Sequence, residues 1–219
     1  MRVVSVNVGL PQITVWRGEP VSTGIFKSPV EGRVRVAGVN LDGDGQADLT
    51  VHGGADKAVY VYPAEHYPYW NARLELEQEL PVGMFGENLT VAGAPLEADV
   101  AIGDRLRIGS TEFIVTQPRL PCYKLGIRFG DPLMVRRFLE SGRSGYYLRI
   151  AKEGYVEAGD EIELLSRDPA HVAVSEITRL IAHDRRDTEA LRRVLAVDAL
   201  PDDLRPFFEG LAARGVGTS

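Results

Sequence analysis

The chain holds a single cysteine, Cys122, in the run Arg119-Leu-Pro-Cys-Tyr-Lys-Leu-Gly126. Arg119 and Lys124 flank it, and Arg128 lies six residues beyond it. A lone cysteine is most often a small buried hydrophobe with no chemistry. Neighbouring cations favour the thiolate instead, the form that attacks electrophiles and ligates metals. Spacing alone leaves both readings open, with inert packing the commoner. One cysteine excludes an internal disulfide. It also excludes a protein-held iron–sulfur cluster, which usually needs four thiolates.

Other polar groups fall in loops rather than in one linear motif. Lys27 and Ser28 stand in Gly-Ile-Phe-Lys-Ser-Pro-Val, and Asn88 and Thr90 in Phe-Gly-Glu-Asn-Leu-Thr. His52, Gly53, Gly54, Asp56 and Lys57 share one glycine-rich stretch. Taken singly, each has an ordinary structural explanation: glycine for positive φ, lysine for solubility, asparagine for a turn. A calcium loop from Asp42 would need glycine at Ala47 and glutamate at Gly53, so the stretch reads as a loop with acidic caps. The histidines, His52, His66, His171 and His183, lack zinc-site spacing. Dinucleotide, P-loop and serine-hydrolase fingerprints are absent from the sequence.

Groups so scattered need a scaffold to gather them. The 219 residues, 44% hydrophobic, are enough for one domain with a small appendage or for two modest ones. A formal charge of −6 argues against nucleic acid as a partner, while a local cluster of donors still admits a small anion. No segment approaches the ~20 apolar residues of a membrane span. The opening apolar run is broken by Asn7, Gly9 and Pro11, unlike a signal peptide. A cytoplasmic, reduced protein is expected.

Up to residue 166 the pattern is of short strands rich in branched and aromatic residues, which favours a mainly β, closed or partly closed barrel. Gly109-Ser110 reads as a tight hairpin turn. Val100–Ser110 and Val156–Ser166 share V-x-x-G-D-x-[IL]-x-[IL]-x-S, one turn-into-strand device used twice. Two helices interrupt the strands. One is the aromatic stretch Tyr62–Trp70; the other has Asp131 as N-cap, Gly142 as exit, and Leu133, Met134, Phe138 and Leu139 facing inward. After Ser166 the apolar period turns helical, with Ser175 and Asp187 as caps. The chain thus divides into a β domain, 1–166, and a three-helix subdomain, 167–219, which is expected to pack on the barrel or on a second subunit.

In order and spacing the loops resemble a MOSC domain, the module named after the C-terminal part of molybdenum-cofactor sulfurase. The Pro121-Cys122 element and the stretch from His52 through Tyr62 carry the likeness most specifically. The tail from Val172 is similar to the three-helix extension of the YiiM-like bacterial branch, associated with detoxifying 6-N-hydroxylaminopurine and related N-hydroxylated bases. The resemblance implies a β-barrel pocket holding the molybdenum cofactor (molybdopterin), with Cys122 as the metal ligand. It places Lys27, Arg119 and Arg128 on the phosphate, with Ser28, Thr90 and Lys124 among the cofactor-binding residues. Asn88 and the amides of Gly53 and Gly54 would hold the pterin ring or phosphate. Pyridoxal phosphate is a further ligand the family allows.

The activity so implied is reduction of an N–OH compound to N–H, with His52 or Asp56 shuttling a proton. His52 also counts among the cofactor-binding positions. Tyr60, Tyr62, Tyr67 and Trp70 offer stacking faces for a purine, although core packing is the commoner use of such residues. Electrons must come from a separate reductase, because the chain shows no flavin or nicotinamide fingerprint and cannot ligate an iron–sulfur cluster. A homodimer is reasonable. The rival readings are a sulfur carrier with a persulfide on Cys122 and a scaffold with a vestigial pocket.

Overall fold

A computed structural model describes residues 1–47, 53–93 and 95–216. The first strands are β1 (Arg2–Val8), β2 (Gln12–Trp16), β3 (Glu19–Thr23), β4 (Ser28–Val30), β5 (Val34–Ala37) and β6 (Asn40–Leu41). β7 (Val59–Pro63), helix α1 (Tyr67–Arg73) and β8 (Leu89–Ala92) follow. Next come β9 (Arg105–Ile108), β10 (Thr111–Pro118), α2 (Tyr123–Phe129), α3 (Met134–Ser141) and β11 (Tyr146–Lys152). β12 (Gly154–Val156) and β13 (Ile162–Ser166) complete the strands. The tail folds as α4 (Val174–Ala182), α5 (Thr188–Leu195) and α6 (Arg205–Val216). No helix among the described residues is long and apolar enough to cross a membrane.

The main sheet has eight strands in the order β13-β9-β10-β11-β7-β8-β1-β4. It is open, which corrects the expectation of a barrel closed by strand pairing. β4 takes the edge of β1, pairing Val6 with Val30, so the ladder ends there. The other half of β1 reaches the turn before β13 only through the bridge Arg2–Glu161 and bonds such as Val3 N to Asp160 O, 2.9 Å. β12, β5 and β6 form a second sheet, and β2 with β3 a separate hairpin.

β7 shows why the interior has two parts. All five of its residues are buried, and successive side chains of a strand face opposite sides. Val59 and Val61 enter an aliphatic core that also takes in Val174, Ile177, Leu191 and Phe208 of the helical tail. Tyr60 and Tyr62 enter an aromatic cluster with Tyr67, Trp70, Phe85 and Phe138. The tail therefore shares the large core of the sheet.

The repeated turn-into-strand device is realised twice and pairs with itself. Gly103 and Gly159 take φ of 93° and 98°. Asp104 Oδ2 accepts from Ala101 N at 3.1 Å, and Asp160 Oδ2 from Glu157 N at 2.8 Å. The strands that follow are antiparallel neighbours, with Ile108 opposite Ile162. The Gly109-Ser110 turn joins β9 to β10 as read, with Ile108 opposite Thr111.

Three helix boundaries differ from expectation. The aromatic stretch read as a helix over Tyr62–Trp70 opens on β7, which runs to Pro63, and α1 begins only at Tyr67. α3 starts at Met134, because Asp131 Oδ1 accepts from Leu133 N at 2.8 Å and caps a turn ahead of the helix; Leu133 is 48% exposed. Ser175 lies inside α4 and caps nothing. The first amides of that helix are satisfied from outside, Val174 N by Val100 O at 3.0 Å and Ser175 N by Glu97 O at 2.8 Å. Asp187 caps α5 as expected, accepting from Ala190 N at 3.0 Å. α2 went unread, since its single apolar turn is interrupted by Gly126.

Candidate functional site

An open cleft gathers loops far apart in sequence. Its lining includes Lys27, Asp44, Asn88, Arg119, Cys122 and Lys124, with Tyr60 and Tyr147 behind them. The strand β10 delivers Arg119 and Cys122, and α2 begins directly after the thiol. Cys122 is only partly buried and occupies the N-cap position of α2, where its side chain makes no capping bond. Its sulfur is thus free of a structural task at a cleft wall.

Arg119 is 7% exposed, and its Nη1 has no hydrogen-bond partner among the described residues. The guanidinium lies over the rings of Tyr60, at 5.0 Å, and Phe138, at 5.4 Å. Burial alone would weaken the cation. The oxygens of Tyr60 and Tyr147 and the sulfur of Cys122 more than offset that, and its pKa lies above the ordinary guanidinium value. Tyr60 keeps its proton, because burial pushes its pKa far up and its hydroxyl donates to Ser144 O at 2.8 Å. A buried cation that lines a cleft and keeps one donor unpartnered among the described residues is the donor half of an anion site.

A buried polar knot also lines the cleft. Lys27 Nζ donates to Asp44 Oδ1 in a short ion pair, with both side chains under a tenth exposed. Asp44 also accepts from Gly9 N at 2.9 Å and from Asn88 Nδ2 at 2.8 Å. Asn88 Oδ1 in turn accepts from Tyr60 N at 3.0 Å. Burial lowers the pKa of Lys27, and Asp44 and Glu87 partly restore it. Below this knot, Glu87 accepts from Gly83 N at 2.8 Å, Phe85 N at 3.1 Å, Thr90 Oγ1 at 2.9 Å and the hydroxyl of Tyr67. That carboxylate fixes the loop 83–88, which presents Asn88.

Of the residues singled out in sequence, Lys27, Lys57, Tyr60, Asn88, Arg119, Cys122 and Lys124 come together at the cleft. The other described ones are placed elsewhere. Ser28 is exposed on β4, opposite Val8. Thr90 is fully buried between Asn7 Nδ2, at 3.1 Å, and Glu87. Gly54 caps a short 3-10 turn and donates to Gln46 Oε1 at 2.9 Å, so with Gly53 it stands behind Gln46 rather than in the lining. Arg128 spreads over Phe26 at 5.2 Å. The Asp56 carboxylate is engaged by Arg149 at 2.5 Å. His52 lies outside the described residues. Tyr62, Tyr67 and Trp70 are packed in the aromatic core, and only Tyr60 of that group reaches the cleft.

Asp44 and Tyr147 were missed. Asp44 sits among acidic loop residues, and its partners lie 17 and 44 positions away. Tyr147 reads as one more alternating strand residue. The alternation does place Tyr147 and Arg149 on the same side of β11, a faint signal that both serve one wall.

A model of the MOSC domain matches residues 48–163, and a model of the YiiM-like, 3-alpha helix domain matches residues 172–210. The uncharacterized protein YflK of Bacillus subtilis (strain 168) is 44% identical over 206 residues, which is 94% of this chain and 92% of that protein. A protein named Reductase from Gibberella moniliformis is 36% identical over 166 residues, 75% of this chain but only 29% of the fungal protein. The crystal structure of YiiM from Geobacillus stearothermophilus superposes with a TM-score of 0.80 at 31% identity, covering 96% of this chain and 98% of that one.

Proposed function

Because the chain belongs to the MOSC-domain family and carries a YiiM-like three-helix domain, we propose that it is a molybdenum-cofactor reductase of N-hydroxylated compounds such as 6-N-hydroxylaminopurine. The observation that carries this reading is that the one thiol of the chain opens onto the same cleft as a buried arginine with an unused donor. The likeness to a protein named Reductase supports it.

The residues fit the group. A single thiolate offers one soft ligand, which suits a metal that arrives with sulfur ligands of its own. Arg119 and Lys124, which line the same cleft as Cys122, supply cationic donors for a phosphate. The bound cofactor would supply two-electron chemistry at the N–O bond. Cys122 anchors the metal, Arg119 orients the phosphate, and Asn88, locked by Asp44 and Tyr60, offers a rigid amide edge to the ligand. Lys27 is a poorer phosphate donor than the sequence implied, since its charge is already compensated by Asp44. Electrons come from a separate redox protein.

Protein from a cofactor-competent host is expected to reduce 6-N-hydroxylaminopurine with an artificial low-potential reductant and to stay inactive with NADPH alone. Turnover with NADPH and no second protein contradicts the reading. A persulfide mass gain on Cys122 in protein lacking molybdenum replaces it with a sulfur-carrier role.

A further inference from the structure

Cleaving N–OH consumes protons as well as electrons, and the donor of those protons is the question here; the inference rests on the reductase reading above. R–NH–OH takes up two electrons, from the redox-protein partner, and two protons, giving R–NH2 and water. The N–O bond breaks, the nitrogen gains one proton, and the departing hydroxyl gains the other. Asp56 is turned away to Arg149, at 2.5 Å. Tyr60 and Tyr147 hold their protons, because burial raises the pKa of each. Arg119 does not release a proton near neutrality. Lys57 reaches Asp203 at 2.7 Å, and Lys124 stands on α2 beside the thiol.

Lys27 is different in both placement and surroundings. Its backbone is clamped by glycines: a Cβ on Gly9 would collide with the Phe26 carbonyl, and one on Gly83 would come within 2.8 Å of Lys27 O. Its side chain is 8% exposed, yet the residue lines the cleft, and its partner Asp44 is held by Gly9 N and Asn88 Nδ2. We propose that Lys27 is the proton donor of this cleft and that Asp44 is the residue that positions it. Lys27 Nζ gives its proton to the departing hydroxyl oxygen, water leaves, and the neutral amine regains a proton from solvent through the open mouth. The nitrogen takes its proton from solvent. Burial makes the ammonium a better acid, the direction a general acid working at neutral pH requires. Asp44 and Glu87 oppose that shift, and the other charged or titratable groups of the cleft are Lys57, Arg119, Cys122 and Lys124, with Tyr60 and Tyr147.

The test compares wild type with Lys27→Arg and Asp44→Asn, measuring molybdenum per chain, rate per molybdenum against pH, and lysine side-chain titration by NMR in cofactor-free protein. The chain has only four lysines, so the resonances are assignable by substitution. Lys27 is expected to titrate below the ordinary lysine value. Lys27→Arg is expected to keep its molybdenum and lose on the order of 10²-fold in rate per metal, the scale of a missing general acid. Asp44→Asn removes the charge that raises the Lys27 pKa, so the alkaline limb of the rate profile moves to lower pH. Lys27→Arg turning over within twofold of wild type overturns the proposal, and so does its failure to bind molybdenum, which would make Lys27 a holding residue. An Asp44→Asn profile that does not move overturns the positioning role. Wild type devoid of molybdenum removes the reductase reading itself, a failure visible in metal analysis before any variant is made.

Discussion

Replacing Glu87 by glutamine changes almost no volume but breaks the knot under the site. Oε1 accepts three bonds, from Gly83 N, Thr90 Oγ1 and the Tyr67 hydroxyl, and Oε2 accepts one, from Phe85 N at 3.1 Å. An amide keeps the three by turning its oxygen to the first position, which aims its NH2 at the Phe85 N–H. A fully buried donor then faces a donor. Losing a charge-assisted bond costs about 1.5–3 kcal/mol, and stranding the buried amide adds about 1–3. The sum, with some relaxation, is about 3–5 kcal/mol, a large part of a domain's stability. Urea unfolding of wild type and Glu87→Gln, compared at equal slope, reads it directly. The same loop presents Asn88 and packs Gly83 against Lys27, so molybdenum retention is expected to fall alongside stability. A loss below about 1 kcal/mol would refute the reasoning, because it would mean that the four donors do not need a carboxylate.

Two further outcomes follow from the buried pair His66–Glu97, joined at 2.9 and 3.0 Å, and from the loop it holds through Gly145 N to Glu97 Oε1 at 2.6 Å. Burial opposes ionisation of Glu97, but the bond and charge of His66 outweigh it and lower the pKa. A depressed carboxylate stabilises the fold fully above its unfolded value, near 4.5, and loses that contribution as pH falls through the folded value. The stability gap between wild type and Glu97→Gln, followed by urea unfolding from pH 6 to about pH 3, is therefore expected to shrink toward the acid end; a gap that grows on acidification contradicts it. Gly145→Ala is expected to destabilise by at least about 1–2 kcal/mol, since the residue sits at positive φ. Its new Cβ would also strike the Val61 carbonyl. A thermal midpoint unchanged from wild type would count against this.

The sequence was most legible where local rules act. The paired turn-into-strand devices at Asp104 and Asp160, the Gly109-Ser110 hairpin and the Asp187 cap all follow from bonds that span three residues or fewer. It was less legible where another segment settles the matter. Ser175 needs no cap role because Val100 and Glu97 carbonyls reach α4 from outside, and barrel closure depends on which strand takes the edge of β1. The site divides in the same way. Cys122 and Arg119 share one run of sequence, whereas Asp44 acquires its meaning only when Lys27 and Asn88 arrive beside it. Asp56 is engaged by Arg149, a partner 93 positions away that no local rule foretells.

X-ray absorption at the molybdenum edge, on wild type and Cys122→Ser purified from the same host, bears most directly on the central proposal. The account predicts close to one molybdenum per wild-type chain, and in the variant either one fewer sulfur neighbour or loss of the metal. Molybdenum held by Cys122→Ser with an unchanged sulfur shell would contradict it.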